Sequence, residues 1–305
     1  MIQAPPESRP TQTYTPYQSQ YLAHLLTLSG SIEEKLSRSL SSAKVDMNPH
    51  QVDAALFALR SPLSRGAVLA DEVGLGKTIE ASLVMAQRWA EGKKHILLIV
   101  PASLRKQWSQ ELAEKFYLDS MIFDGAIYRA QKKAGNARPL DCQGRVVICS
   151  YEFAVQKSSD IAGIQWDLVI FDEAHKLKNP ESKRYKALDK ALPNCQKLLL
   201  TATPLQNKLI ELHSLVSLID PHFFGSDLAF RAQYGARPTT DALLLLRDRL
   251  KNICQRTLRR EAMEAGDIKF TKRYPLTEEF TPSDDEQALY DQVSGYLQQD
   301  NIQSI

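Results

Sequence analysis

Cysteine is scarce and scattered. The 305 residues hold four, Cys142, Cys149, Cys195 and Cys254, and no two form a Cys-x-x-Cys pair. That spacing argues against a thiolate zinc site or a dithiol redox motif and suits a reducing compartment, with each thiol serving as a small buried apolar group. An excess of charge of one sign is also missing. Lys and Arg number 38 against 36 Asp and Glu, a net charge of +2. Bulk charge therefore announces no nucleic-acid binder, and any basic surface must be local. No apolar run approaches the length of a membrane span. The Pro-, Thr- and Gln-rich stretch from Met1 to Tyr17 has no apolar core of a secretion signal. No internal repeat is visible. These absences leave an ordinary soluble chain, expected in the cytoplasm with no membrane partner, and long enough for about two domain-sized units.

Apolar periodicity supplies the organisation. Residues 1–18 are expected to be disordered or loosely docked, and Leu22, Leu25, Leu26, Ile32, Leu36 and Leu40 fit one helical face. Short continuous apolar runs predict strands at Ala67–Ala70, Ile96–Val100, Val146–Ser150, Leu168–Phe171 and Lys197–Thr201. Helical patterns over Lys77–Ala90, Ser103–Phe116, Ser182–Ala191 and Lys208–Leu218 separate most of them. The alternation predicts an α/β domain with a parallel sheet, whose ligands bind at the carboxyl ends of the strands. After Asp220-Pro221 the pattern becomes helical over 222–262, then strand-like from Arg273 to Thr281 and helical again from Asp284 to Leu297.

The most informative segment is Leu69-Ala-Asp-Glu-Val-Gly-Leu-Gly-Lys-Thr-Ile-Glu80. It reads as a strand end, a tight loop permitted by Gly74 and Gly76, and a helix opening at Lys77. Backbone N–H groups of such a loop cradle phosphate oxygens, and the helix adds its positive dipole end. Lys77 would reach the β- and γ-phosphates, and the Thr78 hydroxyl would ligate Mg²⁺. The strict phosphate-loop pattern begins with Gly, and Asp71 stands in that position here.

Other motifs also close apolar strands. Asp172-Glu-Ala-His175 follows Leu168-Val-Ile-Phe171. Adjacent carboxylates gain nothing from proximity in water, but in nucleotide hydrolysis Asp172 would hold Mg²⁺ and Glu173 would orient the attacking water. His175 would couple the site to movements elsewhere. Thr201 and Thr203, in Leu200-Thr-Ala-Thr-Pro204, can relay a conformational state by hydrogen bonds. Ser103, Arg105 and Lys106, in Pro101-Ala-Ser-Leu-Arg-Lys-Gln-Trp108, suit a phosphate backbone, and Tyr151 of Ser150-Tyr-Glu152 could touch the same backbone. Gln51, in Asn48-Pro-His-Gln51, can read an adenine edge through its amide. The basic residues Arg247, Arg249, Lys251, Arg256, Arg259 and Arg260 have three readings: near DNA phosphates, near ATP and a partner lobe, or on a solvated helix face.

In this order the motifs resemble superfamily 2 helicases, and more closely the Swi/Snf-type ATPases, which usually translocate on duplex DNA without separating its strands. Leu200-Thr-Ala-Thr-Pro-Leu-Gln-Asn207, Glu211-Leu-His-Ser-Leu215, Phe223-Phe-Gly-Ser226 and Arg256-Thr-Leu-Arg-Arg260 are similar to the family too. Val73 and Ile79-Glu-Ala81 look more like its bacterial and archaeal branch. Asp71-Glu-Val-Gly74 is the family's own form of the phosphate loop.

The resemblance implies a RecA-like α/β lobe with a parallel sheet flanked by helices and a helical insertion. It would comprise an N-terminal extension (1–44), the ATP-binding lobe (45–221), a helical protrusion (222–275) and a strand and helix leading toward a second lobe (276–305). ATP and Mg²⁺ are the implied cofactors. Gln51, Gly74, Gly76, Lys77 and Thr78 would hold the nucleotide, Thr78 and Asp172 the metal, and Lys77, Asp172 and Glu173 would drive hydrolysis. Double-stranded DNA is the implied partner, in a bacterial or archaeal nucleoid. The family's second lobe, with its arginine finger, would follow residue 305, and no Gln-x-x-x-Arg-x-x-Arg-like run occurs here. The chain is therefore expected to be a first lobe with little activity by itself. A strand-separating helicase, a restriction or anti-phage motor, or a non-catalytic nucleotide- and DNA-binding module are the alternatives.

Overall fold

The computed structural model describes residues 43–44, 48–60, 65–202, 209–235, 238–265 and 279–297. The chain divides into two compact units, Met1–Ile268 and Lys269–Ile305. The expected helix over residues 21–40 lies outside the described residues, as do Thr203 and residues 273–278 of the expected late strand; residues 279–281 form no strand.

The first unit is built on seven parallel strands: β1 (Gly66–Leu69), β2 (Ile96–Val100), β3 (Ser120–Phe123), β4 (Val146–Ser150), β5 (Leu168–Phe171), β6 (Gln196–Leu200) and β7 (Cys254–Gln255). They lie in the order β3-β4-β2-β5-β6-β1-β7. The inner strands are fully buried because helices cover both faces, which is why they read as unbroken apolar runs. On one face Ala67, Leu69, Leu98, Ile148 and Ile170 pack with α1 (Pro49–Arg60), α2 (Lys77–Ala90) and α3 (Arg105–Phe116). On the other, Val68, Ile99, Val147 and Phe171 pack with residues of α4 (Gly125–Lys133), α5 (Tyr151–Gln156), α6 (Ser158–Ala162), α7 (Lys183–Ala191) and α8 (Leu209–Ile219).

Register brings the motif-bearing strand ends to one edge. Leu69 lies opposite Leu200, Phe171 opposite Leu199, Ile99 opposite Phe171, and Val100 opposite Ser150. The loops that start at Ala70, Pro101, Tyr151, Asp172 and Thr201 therefore all emerge together, as expected of an open parallel sheet.

Beyond Asp220 the chain forms α9 (Asp227–Tyr234), α10 (Thr240–Leu250) and α11 (Arg259–Glu264). Between α10 and α11 it returns to the sheet as β7, beside β1, a strand that the helical reading of 222–262 did not include. In the second unit α12 (Asp284–Leu297) starts on a reciprocal cap. The Ser283 N–H donates to Glu286 Oε2 at 2.9 Å and the Glu286 N–H to Ser283 Oγ at 3.4 Å.

Candidate active site

The loop after β1 needs glycine twice. Gly74 and Gly76 have φ of 89° and 95°, in the left-handed region that L side chains avoid. Gly76 also lies so close to Gln51 that a Cβ there would come within 2.3 Å of the Gln51 amide nitrogen. Gln51 is buried on α1. Its Nε2 donates to Leu75 O at 2.9 Å and its Oε1 accepts from Asn48 N at 3.1 Å. His50 Nε2 lies 3.0 Å from the same Leu75 carbonyl. Lys77 opens α2, and its ammonium donates to Asp71 O at 2.7 Å. Thr78, half-buried, is the second residue of that helix.

Residues far along the chain complete this loop. The N–H groups of Val68, Ala70 and Glu72 donate to the carbonyls of Ile253, Gln255 and Thr257 at 2.8, 2.8 and 3.2 Å. Asp71, fully buried, accepts the Thr257 N–H at 2.7 Å, and Glu72 accepts the Arg259 N–H at 3.0 Å. The Arg259 guanidinium caps the Val73 carbonyl, its Nε at 2.8 Å. Of the basic run, Arg259 thus lies at the phosphate loop. Asp71, read from sequence as an irregular first position, is the residue that ties the loop to β7's continuation.

Behind the loop His50, Asp71 and Glu80 are all buried and bring one ligand atom each within 4.8 Å of one another. Burial first, and then the neighbouring Asp71 carboxylate, push the Glu80 carboxyl up to about 9. Burial raises Asp71 too, against the opposing Thr257 N–H. Two buried carboxyls this close disfavour ionising together, so the pair keeps a proton. The sequence marks Asp71 as an irregular first position of the loop but does not show that His50 and Glu80 meet it. The clue was that Glu80, three residues after Lys77, is on the same helix face as the lysine that faces Asp71.

The acidic loop starts where β5 ends. Glu173 takes a left-handed conformation (φ 52°, ψ 50°) and leads into a 3₁₀ turn, Ala174–Leu177. Asp172 is buried. Its Oδ2 accepts the Trp108 indole N–H at 2.8 Å and its Oδ1 the Glu173 N–H at 2.9 Å. Burial raises the Asp172 carboxyl above its usual range. The Trp108 bond opposes this, the Glu173 charge adds to it, and the Glu173 N–H and the Lys77 ammonium oppose it. Lys77 at the start of α2 and Asp172 in the loop after β5 are thus electrostatic neighbours. Glu173 Oε2 stands 3.1 Å from His175 Nδ1. Thr201 is fully buried, its N–H bonded to Leu69 O at 3.0 Å, so it joins the β6 end to the phosphate-loop strand.

Mg²⁺ takes hard oxygen donors. A hydroxyl at Thr78 and a carboxylate at Asp172 that retains free lone pairs beside its two bonds fit that ion.

Of the residues expected at a phosphate backbone, Ser103 and Lys106 are exposed and Arg105 is half-buried, its Nε bonded to Ala102 O at 3.1 Å. Tyr151 departs from expectation. Its side chain is 1% exposed and its hydroxyl donates to Asp172 O at 2.7 Å, while the Arg184 guanidinium stacks 5.4 Å from the ring centroid. A buried ring with its hydroxyl engaged supports the acidic loop and offers no surface to DNA. The thiols follow expectation in part: Cys149 and Cys195 are buried, and burial pushes Cys149 up to about 12, whereas Cys142 and Cys254 are half-buried.

The fold and this site define a RecA-like α/β lobe with a glycine loop and an acidic loop side by side at the carboxyl edge of a parallel sheet. Residues 17–305 match the SNF2-related domain, and the chain belongs to that family. It is 36% identical over 249 residues to the "Uncharacterized ATP-dependent helicase YqhH" of Bacillus subtilis (strain 168), an alignment covering 81% of this chain and 42% of that protein. The chain thus spans about two-fifths of that relative's length. Its fold matches the Sulfolobus solfataricus SWI2/SNF2 ATPase core in complex with dsDNA (TM-score 0.65, 23% identity, 75% of this chain and 48% of that one). It also matches the ATPase core domain from the same organism (TM-score 0.63, 22% identity, 86% and 54%).

Proposed function

We propose that this chain is the ATP-binding first lobe of a double-stranded DNA translocase, one that couples ATP hydrolysis to movement on duplex DNA and to remodelling of protein–DNA complexes. The observation that carries the reading is the convergence of Lys77 and Asp172, from loops on separate strands, at one sheet edge. In this reading the amides of the Gly74–Gly76 loop and the Lys77 ammonium hold the phosphates. Gln51 turns its amide to adenine, and Thr78 and Asp172 hold Mg²⁺, which neutralises phosphate charge when bound. Glu173 orients the attacking water and His175 senses its position, with Thr201 and Thr203 relaying the state of the site. Ser103, Arg105 and Lys106 meet the DNA backbone. Residues 1–44, 45–221, 222–275 and 276–305 serve as extension, lobe, protrusion and lead to a second lobe that supplies the remaining catalytic groups in cis or in trans.

Because a helicase is among the relatives, strand separation is the second reading. Fork unwinding against triplex displacement by the full-length protein distinguishes them, and translocation without unwinding is expected. Two variants test the site. Lys77→Ala should abolish ATP binding in calorimetry, and unchanged affinity rejects the phosphate-loop assignment. Glu173→Gln should bind ATP normally and lower turnover by on the order of 10² or more in the complete enzyme; retained hydrolysis rejects its role.

A further inference from the structure

Two loops expected from sequence to face DNA reach the same residue through their side chains. Trp108, 2% exposed on α3, donates its indole N–H to Asp172 Oδ2 at 2.8 Å. Tyr151, at the start of α5, donates its hydroxyl to Asp172 O at 2.7 Å. The main chain of Asp172 is itself fixed to the sheet, its N–H bonded to Ile99 O at 2.9 Å. The carboxylate's orientation therefore depends on the indole on one oxygen and the Glu173 N–H on the other. Trp108 stands two and three residues from Lys106 and Arg105, within one helical turn, where a rigid segment moves as a unit. Its indole lies in the core between the sheet and α1 to α3, while Lys106 and Ser103 are exposed.

We propose that Trp108 is a positioning residue that couples the DNA-facing turn of α3 to the metal-holding carboxylate: a polyanion bound at Ser103, Arg105 and Lys106 shifts the turn, and the indole N–H carries the shift to Asp172 Oδ2. The inference rests on the functional reading above but adds to it a specific link. Loss of a hydrogen-bonding partner behind a metal ligand costs about 10–100-fold in metal affinity. The same bond removed here would therefore act on Mg²⁺ and leave metal-free nucleotide binding alone.

The chain holds only three tryptophans, Trp89, Trp108 and Trp166, so the indole ¹⁵N–H resonances of the labelled full chain can be assigned with Trp89→Phe and Trp166→Phe. The Trp108 resonance should shift when Mg²⁺ is added to protein saturated with a non-hydrolysable ATP analogue, and shift again with duplex DNA. Trp166, whose indole N–H is bonded to Ile161 O at 3.0 Å, should stay still. In Trp108→Phe the Mg²⁺ concentration for half-saturation should rise about tenfold, with analogue affinity in EDTA within about twofold of wild type. Bound analogue with a Trp108 resonance indifferent to Mg²⁺ or to DNA overturns the coupling and leaves the ATP-site reading standing. No analogue binding at all overturns both. If Trp108→Phe does not fold, the wild-type resonances decide alone.

Discussion

Replacing Glu80 with glutamine keeps the shape of a fully buried side chain and removes its ability to ionise. Glu80 is faced by Asp71 and His50 and feels the Lys77 ammonium. Its carboxyl is pushed up to about 9 in the folded protein from 4.5. A raised acid binds a proton in the native state that the unfolded chain has already released. Stability from this group is therefore complete below the unfolded value and is lost as pH climbs from 4.5 toward 9. Between pH 5 and pH 8 the loss accrues over about three units at about 1.4 kcal/mol each, at most about 4 kcal/mol. The Glu80→Gln amide needs no proton to stay neutral. The variant should therefore lose less stability than wild type over that interval, by up to about 4 kcal/mol. For a domain of this size that corresponds to about 6 °C in melting temperature. The assay is paired thermal or urea melts at pH 5 and pH 8, in EDTA and without nucleotide. Parallel pH dependences refute the shared proton. A variant destabilised at both pH values, with wild type stabilised by added divalent metal, would instead mark His50, Asp71 and Glu80 as ligands of an ion.

Two left-handed glycines, Gly76 in the phosphate loop and Gly92 after α2, give a matched pair of tests. Gly76→Ala combines a left-handed backbone with a Cβ 2.3 Å from the Gln51 amide, whereas Gly92→Ala at φ 83° has nothing within 4 Å. Both should lose about 1–2 kcal/mol from backbone strain, seen in urea melts. Nucleotide affinity should fall, by on the order of tenfold, in Gly76→Ala alone; equal affinities would mean that Gln51 does not brace the loop. DNA affinity should weaken with a log–log slope of about −0.9 per phosphate neutralised and show little sequence preference. Strong preference for one sequence in gel-shift competition would count against backbone recognition.

The buried strands were legible because both their faces are covered: β2, β4 and β5 match the sequence reading residue for residue, and β1 and β6 are displaced by a single position. Edge strands carried no such signal. In β3 only Phe123 is buried while Ser120, Met121 and Ile122 are half-exposed, and β7 is two residues long. Helix α5 was hidden because Ser150 ends a strand and at once caps a helix, its Oγ accepting the Phe153 N–H at 3.2 Å. The phosphate and acidic loops could be read because their chemistry is local in sequence. Tyr151, Trp108 and the Glu80 pair could not, since each acquires its role from a partner that only the fold supplies, 21, 64 and 9 positions away along the chain. From sequence Arg259 belonged to a basic run read as near DNA phosphates, near ATP and a partner lobe, or on a solvated helix face, and only the return of β7 to β1 brings it to the phosphate loop.

That return also sets an order of assembly. The glycine loop is synthesised before residue 80, yet its strand and flanks donate hydrogen bonds to the carbonyls of Ile253, Gln255 and Thr257 and accept them from the N–H groups of Thr257 and Arg259. At about 5–20 residues per second a ribosome needs on the order of 10 s or more to span that separation. Until then β1 is a sheet edge with unpaired backbone groups, and contacts this distant in sequence are slow to form. A nascent chain would therefore gain its phosphate loop last, when nearly all the rest of the first unit has been made, and it could not hold nucleotide before the sheet that surrounds it is complete.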